Sequence, residues 1–308
     1  MTRILLTGAD GQLGQELQRT LVPLGEIIGV GRQALDLTQP DRIRQIISEI
    51  KPDLIVNAAA YTAVDKAQTE PELAKSINAV APTIMAEEQA RHGGILIHVS
   101  TDYVFDGRKN SPYTEEDAPN PLSVYGQSKL AGEEGIQKTS QSLQSAHQEL
   151  RYIILRTAWV YGTYGKSNFV KTMLRLGAER DEIRVVADQV GTPTWACDIA
   201  SSIAILGQKV HEQGAPSPLT GIYNFTSSGV ASWYDFAIAI FEEAKQLGFE
   251  LKVQRVVPIT TSEYPTPATR PAYSVLAGQK ITAALGSHPP HWRQGLRQML
   301  AELYSRQT

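Results

Sequence analysis

Short apolar runs alternate with longer stretches of helical period through the first half of the chain. Arg3–Thr7 predicts a strand, and Gln12–Leu24 predicts a helix with Leu13, Leu17, Leu21 and Leu24 on one face. Ile27–Val30 predicts a second strand. Pro40 opens a helix whose apolar stripe is Ile43, Ile46, Ile47 and Ile50. Asp53–Ala60 is apolar almost throughout and predicts a third strand. Pro71–Arg91 predicts a helix, Ile95–Val99 a strand, Leu122–Gln137 a helix and Tyr152–Leu155 a further strand. Gln137–Gln148 is polar and rich in Ser and Gln, which predicts an exposed connector. Continuous apolar strands separated by helices imply a parallel sheet covered on both faces, and the right-handed crossover rule makes it doubly wound.

The texture changes near residue 157. Loops lengthen, prolines cluster between Pro216 and Pro290, and two amphipathic helices stand out, Ser232–Leu247 and His291–Tyr304. No internal repeat is visible. The expected fold class is α/β: a Rossmann-like doubly wound parallel sheet over residues 1–156, then a smaller C-terminal α+β substrate lobe over residues 157–308. Some segments of that second part are expected to return to the first domain.

Composition removes other classes. The chain has 308 residues, enough for about two domains, with 42% apolar and 20% charged residues. Lys plus Arg is 29 and Asp plus Glu is 32, so nothing favours a nucleic-acid partner. The lone Cys197 cannot form an internal disulfide, which favours a reducing compartment. No apolar run approaches the ~20 residues of a membrane span. Ile4–Leu6 is too short for a signal-peptide core. A cytoplasmic protein with no membrane partner is expected.

Two constellations carry chemistry. Gly8-Ala9-Asp10-Gly11-Gln12-Leu13-Gly14 follows the first strand and opens the first helix. A glycine loop there lets backbone N–H groups approach a pyrophosphate at a helix N-terminus. The plainer reading, a βα turn without ligand, is weaker because strand, loop and helix fall in the required order. The second strand runs into Gly31 and Arg32, with no acid until Asp36. Arg32 can pair bidentately with a 2′-phosphate, which leans to NADPH and leaves NADH open. Otherwise Arg32 is a solvated surface residue.

Tyr125-Gly126-Gln127-Ser128-Lys129 places a phenol and an ammonium four residues apart on one helix face. An ammonium beside a phenol favours phenolate and would bring Tyr125 toward neutral proton exchange. Thr101 closes the strand upstream, at the sheet edge where ligands bind, and its hydroxyl can meet a substrate carbonyl. Turn chemistry before Asp102 is the competing reading of Thr101.

Together these features resemble the extended short-chain dehydrogenase/reductases. Val56–Ala67, Ser100–Gly107, Val124–Glu133, Arg156–Gly162 and Tyr264–Pro271 are similar to one branch, the dTDP-4-dehydrorhamnose reductases. The resemblance runs over nearly the whole chain. It implies reduction of a nucleotide-sugar ketone by a nicotinamide dinucleotide in dTDP-rhamnose biosynthesis. Tyr125, Lys129 and Thr101 would be catalytic. Gly8, Gly11, Gln12, Leu13 and Gly14 would hold the diphosphate, and Arg32, Asp36 and Leu37 would flank the adenosine. Ala60, Tyr61 and Thr62 would line the nicotinamide side, with Tyr125 and Lys129. Thr101, Asp102 and Trp159 would meet the sugar, with Arg270 a candidate for its diphosphate.

Some members of this branch dimerise through a magnesium ion held by glutamates from three regions. Glu16 matches the first, but the others read Trp195-Ala196-Cys197-Asp198 and Trp292-Arg293-Gln294. A Mg2+-bridged dimer is therefore not expected, and a monomer or a differently paired homodimer stays open. Two other classes also stay open. One is a nucleotide-sugar epimerase or dehydratase on the same scaffold. The other is a non-catalytic regulatory subunit of methionine adenosyltransferase, which can keep the Tyr–Lys pair. The six histidines lack metal-ligand spacing, and His98, inside a predicted strand, reads as a core or sheet residue. Trp233, Tyr234 and Phe236 read as packing.

Overall fold

The computed structural model describes residues 2–144, 150–214 and 216–306. Six parallel strands form one sheet: β1 (Thr2–Thr7), β2 (Gly25–Val30), β3 (Leu54–Asn57), β4 (Ile95–Thr101), β5 (Arg151–Thr157) and β6 (Gly221–Asn224). Their spatial order is β6-β5-β4-β3-β1-β2, so the winding reverses between β1 and β3. β6 comes from the second half of the chain and pairs with β5.

The alternation of side chains along each strand builds two cores. Leu6, Val56, Ile97 and Leu155 face α1 (Gln12–Thr20) and α6 (Ala196–Gln213). Leu5, Ile55, Leu96 and Ile154 face α2 (Pro40–Ile50), α3 (Ala81–His92) and α4 (Val124–Gln144). Register makes these residues rungs: Leu5 pairs with Ile55, and Ile55 with Leu96. Two residues on, the same face carries Thr7, Asn57 and His98, also in register.

Behind α4 lies a buried ion pair. Arg156 on β5 meets Glu133 on α4 at 2.6 Å, and Ser100 Oγ donates to the same carboxylate at 2.5 Å. The two charged side chains are 2% and 0% exposed. They hold α4, which carries the Tyr–Lys pair, against β4 and β5.

The smaller α+β layer uses short strand pairs, Val160–Tyr161 with Thr194–Trp195 and Glu182–Val186 with Arg255–Ile259. Around them pack α5 (Phe169–Glu179), α7 (Trp233–Leu247) and α8 (Trp292–Ser305), sharing a core of Tyr161, Phe236, Trp292 and Leu296. Ser232 and Asp235 form a reciprocal capping box that starts α7. Among the described residues, no helix is long and apolar enough to cross a membrane.

Several boundaries depart from expectation. The first helix stops at Thr20 and gives way to a 3₁₀ turn at Val22–Leu24, because Pro23 cannot continue it. The helix expected over Pro71–Arg91 is broken. Pro71–Lys75 passes through a π-helical turn, Ser76–Val80, into α3. Pro82 has no N–H to return to Asn78, and the widened turn absorbs the loss. β3 ends at Asn57, and Ala58–Ala60 leave the sheet. α4 runs on to Gln144 through much of the expected connector; residues 145–148 of that stretch lie outside the described residues.

Removing Arg156 leaves Glu133 charged, buried and unpaired. Arg156→Met is expected to destabilise the chain by about 3–5 kcal/mol in urea unfolding. A loss under about 1 kcal/mol would show that the pair adds nothing net.

Candidate functional site

A cleft of about 890 Å³ opens where β1, β3 and β4 end, at the reversal of winding. Open α/β sheets bind ligands at such a point. Gly8, Gly11, Gln12, Leu13, Gly14, Arg32, Asp36, Leu37, Ala60, Tyr61, Thr62, Tyr125, Lys129, Thr101, Asp102 and Trp159 all line it. Arg270 does not. A second cavity, about 230 Å³, lies around Lys51, His92 and Arg151 and holds none of these residues.

The glycine loop is shaped by close backbone approach. A methyl group on Gly14 would stand 2.0 Å from Gly8 O, and Gly8 itself has φ +72°. No other residue type meets both demands without strain. Gly11 is the N-cap of α1 without a side-chain cap, so the first N–H groups of that helix remain unanswered at the cleft. Together with the helix dipole they form an anion site. Gln12 is anchored from the other layer: its Nε2 donates to Val160 O at 3.2 Å, and Asn168 Nδ2 donates to its Oε1 at 3.3 Å. Asp36 accepts from Thr38 N and Oγ1 at 3.0 and 2.9 Å, which holds its carboxyl below the ordinary range. Arg32 also lines the cleft, and its charge lowers the Asp36 carboxyl a little further.

Tyr125 and Lys129 lie on α4, whose start is capped by Ser123 Oγ accepting from Gly126 N at 3.2 Å. Thr101 Oγ1 donates to Asp102 Oδ1 at 3.0 Å and accepts from Tyr103 N at 3.2 Å. Burial pushes the Tyr125 phenol up to about 12, against a hydrogen bond with Thr101. Burial also pulls Lys129 down to about 8 and pushes Asp102 up to about 6. The phenol is therefore not brought toward neutral here, because burial outweighs the pull of the Lys129 charge. Lys129 Nζ donates to Val99 O at 2.7 Å and lies 3.2 Å from His98 Nε2. A phenol held protonated suits a proton donor.

Trp159 is one of two non-glycine residues with positive φ among the described residues, at +47°. Its ring lies flat on Trp233, with centroids 3.5 Å apart and planes 5° apart. Gly191 makes room: a methyl group there would be 2.5 Å from the Trp159 ring. Trp233, read from sequence as packing alone, also lines the cleft. Arg270 is engaged by Asp65, with N···O distances of 3.1 and 2.8 Å, so it ties the Pro-rich segment to the short helix Val64–Ala67 that follows β3.

Sequence reasoning also missed Asn78 and Thr157. Asn78, on the π-helical turn, clamps Tyr61 through its N at 2.8 Å and its O at 3.1 Å, and donates to Ser128 Oγ at 3.0 Å. The signal was Pro82, whose missing N–H distorts the helix there. Thr157 Oγ1 is buried at the cleft with no partner among the described residues.

Glu16 lies outside the cleft and is buried beside Arg19 at 3.7 Å. Burial and then Glu302 push its carboxyl up. Burial and the nearby Glu16 and Asp198 carboxylates push the Cys197 thiol up to about 11. A neutral thiol is no magnesium ligand. Among the described residues, no three His, Cys, Asp or Glu side chains are grouped to hold a metal ion.

A winding reversal, a glycine loop and a Tyr–Lys helix at one sheet edge define the extended short-chain dehydrogenase/reductase fold. The RmlD substrate binding domain model matches residues 1–305, and the chain belongs to that family. A dTDP-4-dehydrorhamnose reductase of Burkholderia thailandensis is 43% identical, with 98% of this chain and 99% of that one covered. One from Aggregatibacter actinomycetemcomitans is 45% identical over 98% and 99%. The solved structure of a dTDP-4-dehydrorhamnose reductase from Bacillus anthracis, in complex with NADP, has a TM-score of 0.86 at 38% identity, covering 98% and 99%. A UDP-glucose 4-epimerase of Thermus thermophilus shares the fold at 22% identity, with a TM-score of 0.78.

The tight loop yields a binding test. Gly14→Ala forces the loop away from α1 and is expected to weaken dinucleotide binding at least about tenfold, about 1.4 kcal/mol, by fluorescence titration. Unchanged affinity would mean that the loop does not hold the ligand.

Proposed function

We propose that the chain reduces the C4 ketone of dTDP-4-dehydro-L-rhamnose to dTDP-L-rhamnose with NADPH. The observation that carries this reading is one cleft joining a glycine loop to Thr101, Tyr125 and Lys129, in a chain of this family. A reduced nicotinamide, when bound, supplies the hydride. The residues fit such a group: unanswered N–H groups of α1 suit a diphosphate, and Thr157 offers an unpartnered hydroxyl. Gly8, Gly11, Gln12, Leu13 and Gly14 would hold the diphosphate. Arg32 would meet a 2′-phosphate, Asp36 and Leu37 the adenosine, and Ala60–Thr62 the nicotinamide side.

The chain's own work is proton transfer and orientation. Tyr125 gives its phenolic proton to the carbonyl oxygen as the C4 centre is reduced, leaving an alcohol. Thr101 orients that oxygen and supports the phenolate left behind. Lys129 carries a positive charge at the back of the cleft, which favours the phenolate once formed. Trp159 and Asp102 bound the sugar. The reading extends to a cytoplasmic location.

Two variants test it. Tyr125→Phe is expected to lower kcat by about 10²–10⁴ while NADPH still binds. Near-normal turnover would remove Tyr125 as the proton donor. Arg32→Ala is expected to raise KM for NADPH about tenfold and leave that for NADH unchanged, since one charge-assisted contact is worth about 1.5–3 kcal/mol. Equal effects on both dinucleotides would exclude a 2′-phosphate contact.

A further inference from the structure

His98 is fully buried, on the face of β4 that looks toward α4, and the reaction as derived makes no use of it. It is the centre of a polar row crossing three strands. Thr7 Oγ1 donates to Asn57 Oδ1 at 2.7 Å, Asn57 Nδ2 lies 2.9 Å from His98 Nδ1, and Lys129 Nζ lies 3.2 Å from His98 Nε2. The register of β1, β3 and β4 aligns these side chains, so the row belongs to the sheet itself.

The row has two self-consistent senses. In one, Asn57 Nδ2 donates to Nδ1, so the imidazole proton is on Nε2 and points at Nζ. Only a neutral amine has a lone pair to receive it. In the other, the Asn57 amide is turned over, its Oδ1 accepts from Nδ1–H, and its Nδ2 donates to Thr7 Oγ1. Nε2 then offers its lone pair to an ammonium. An ammonium needs acceptors in a buried place, and Val99 O at 2.7 Å supplies only one. The charge on Lys129 and the tautomer of His98 therefore select each other.

The charged and titratable surroundings leave His98 this part. On α4, Glu133 faces Lys129 but is already held by Arg156 of β5 and Ser100 of β4. Tyr125, also on α4, and Asp102, after β4, stand at the cleft side. β1 and β3 contribute only the neutral Thr7 and Asn57. Burial, and then the Lys129 charge, keep the imidazole neutral, so it acts as a dipole and not as a second cation.

We propose that His98 is a positioning residue: its Nε2 holds the Lys129 ammonium at the back of the cleft, and the Thr7–Asn57–His98 row sets the pH at which that ammonium is lost. The proposal rests on the reductase reading for its kinetic consequence, but its tautomer switch does not depend on turnover. The test is ¹⁵N NMR of His98 in the full chain with NADP, from about pH 6 to about pH 10, spanning the lysine transition. The expected result is Nδ1–H at low pH and Nε2–H at high pH, with the switch abolished in Lys129→Met. A single tautomer throughout, or a switch that survives Lys129→Met, overturns it. The kinetic companion is the alkaline limb of kcat/KM. His98→Leu removes the acceptor and is expected to move that limb down by about one pH unit, while His98→Gln, which keeps an acceptor oxygen, restores it. An unmoved limb in His98→Leu contradicts the proposal. Should His98→Leu fail to fold, the NMR titration still decides.

Discussion

Where β1 ends, the chain turns so tightly into α1 that a methyl group on Gly14 would stand 2.0 Å from the Gly8 carbonyl oxygen. That approach aims the uncapped start of α1 at the point where the sheet reverses its winding. The chemistry gathers there for the same reason. A parallel sheet covered on both faces has an apolar interior, and polar groups belong at its strand ends. The rung Leu5, Ile55 and Leu96 is apolar; the next rung on that face, Thr7, Asn57 and His98, is polar and reaches Lys129.

The second layer is fastened to this edge at several points. Gln12, in the glycine loop, is held by Val160 and Asn168, and Arg270 is held by Asp65. Trp159 and Trp233 stack beside the catalytic side of the cleft. The lobe that would recognise a sugar therefore touches the loop that would hold a diphosphate.

The strands and the glycine loop were legible because period and punctuation are local properties. Leu13 and Leu17 mark the buried face of α1 as expected, and Gly8 and Gly14 meet their steric demands within a few residues. The ends of elements were less legible where a proline intervened. Pro82 turns a helix that looks continuous into a π-helical turn, and Asn78 there clamps Tyr61. Least legible were contacts set by register. Nothing near His98 in the chain announces Asn57 or Lys129, which lie 41 and 31 residues away. Arg270 was named for its charge alone, and its partner Asp65, 205 residues away, could not be read from the sequence. The pull expected of the Lys129 charge on the Tyr125 phenol is outweighed by burial, which the linear sequence does not display.

The central claim is net hydride transfer to the sugar, and an isotope measurement tests it most directly. The chain would be given NADPH deuterated at the nicotinamide C4 position together with dTDP-4-dehydro-L-rhamnose, and the product examined by NMR and mass spectrometry. The account predicts dTDP-L-rhamnose with one non-exchangeable deuterium at C4, formed in proportion to the dinucleotide oxidised. An isomerised sugar with no net dinucleotide oxidised, or no reaction by a folded chain that binds NADPH, would contradict it.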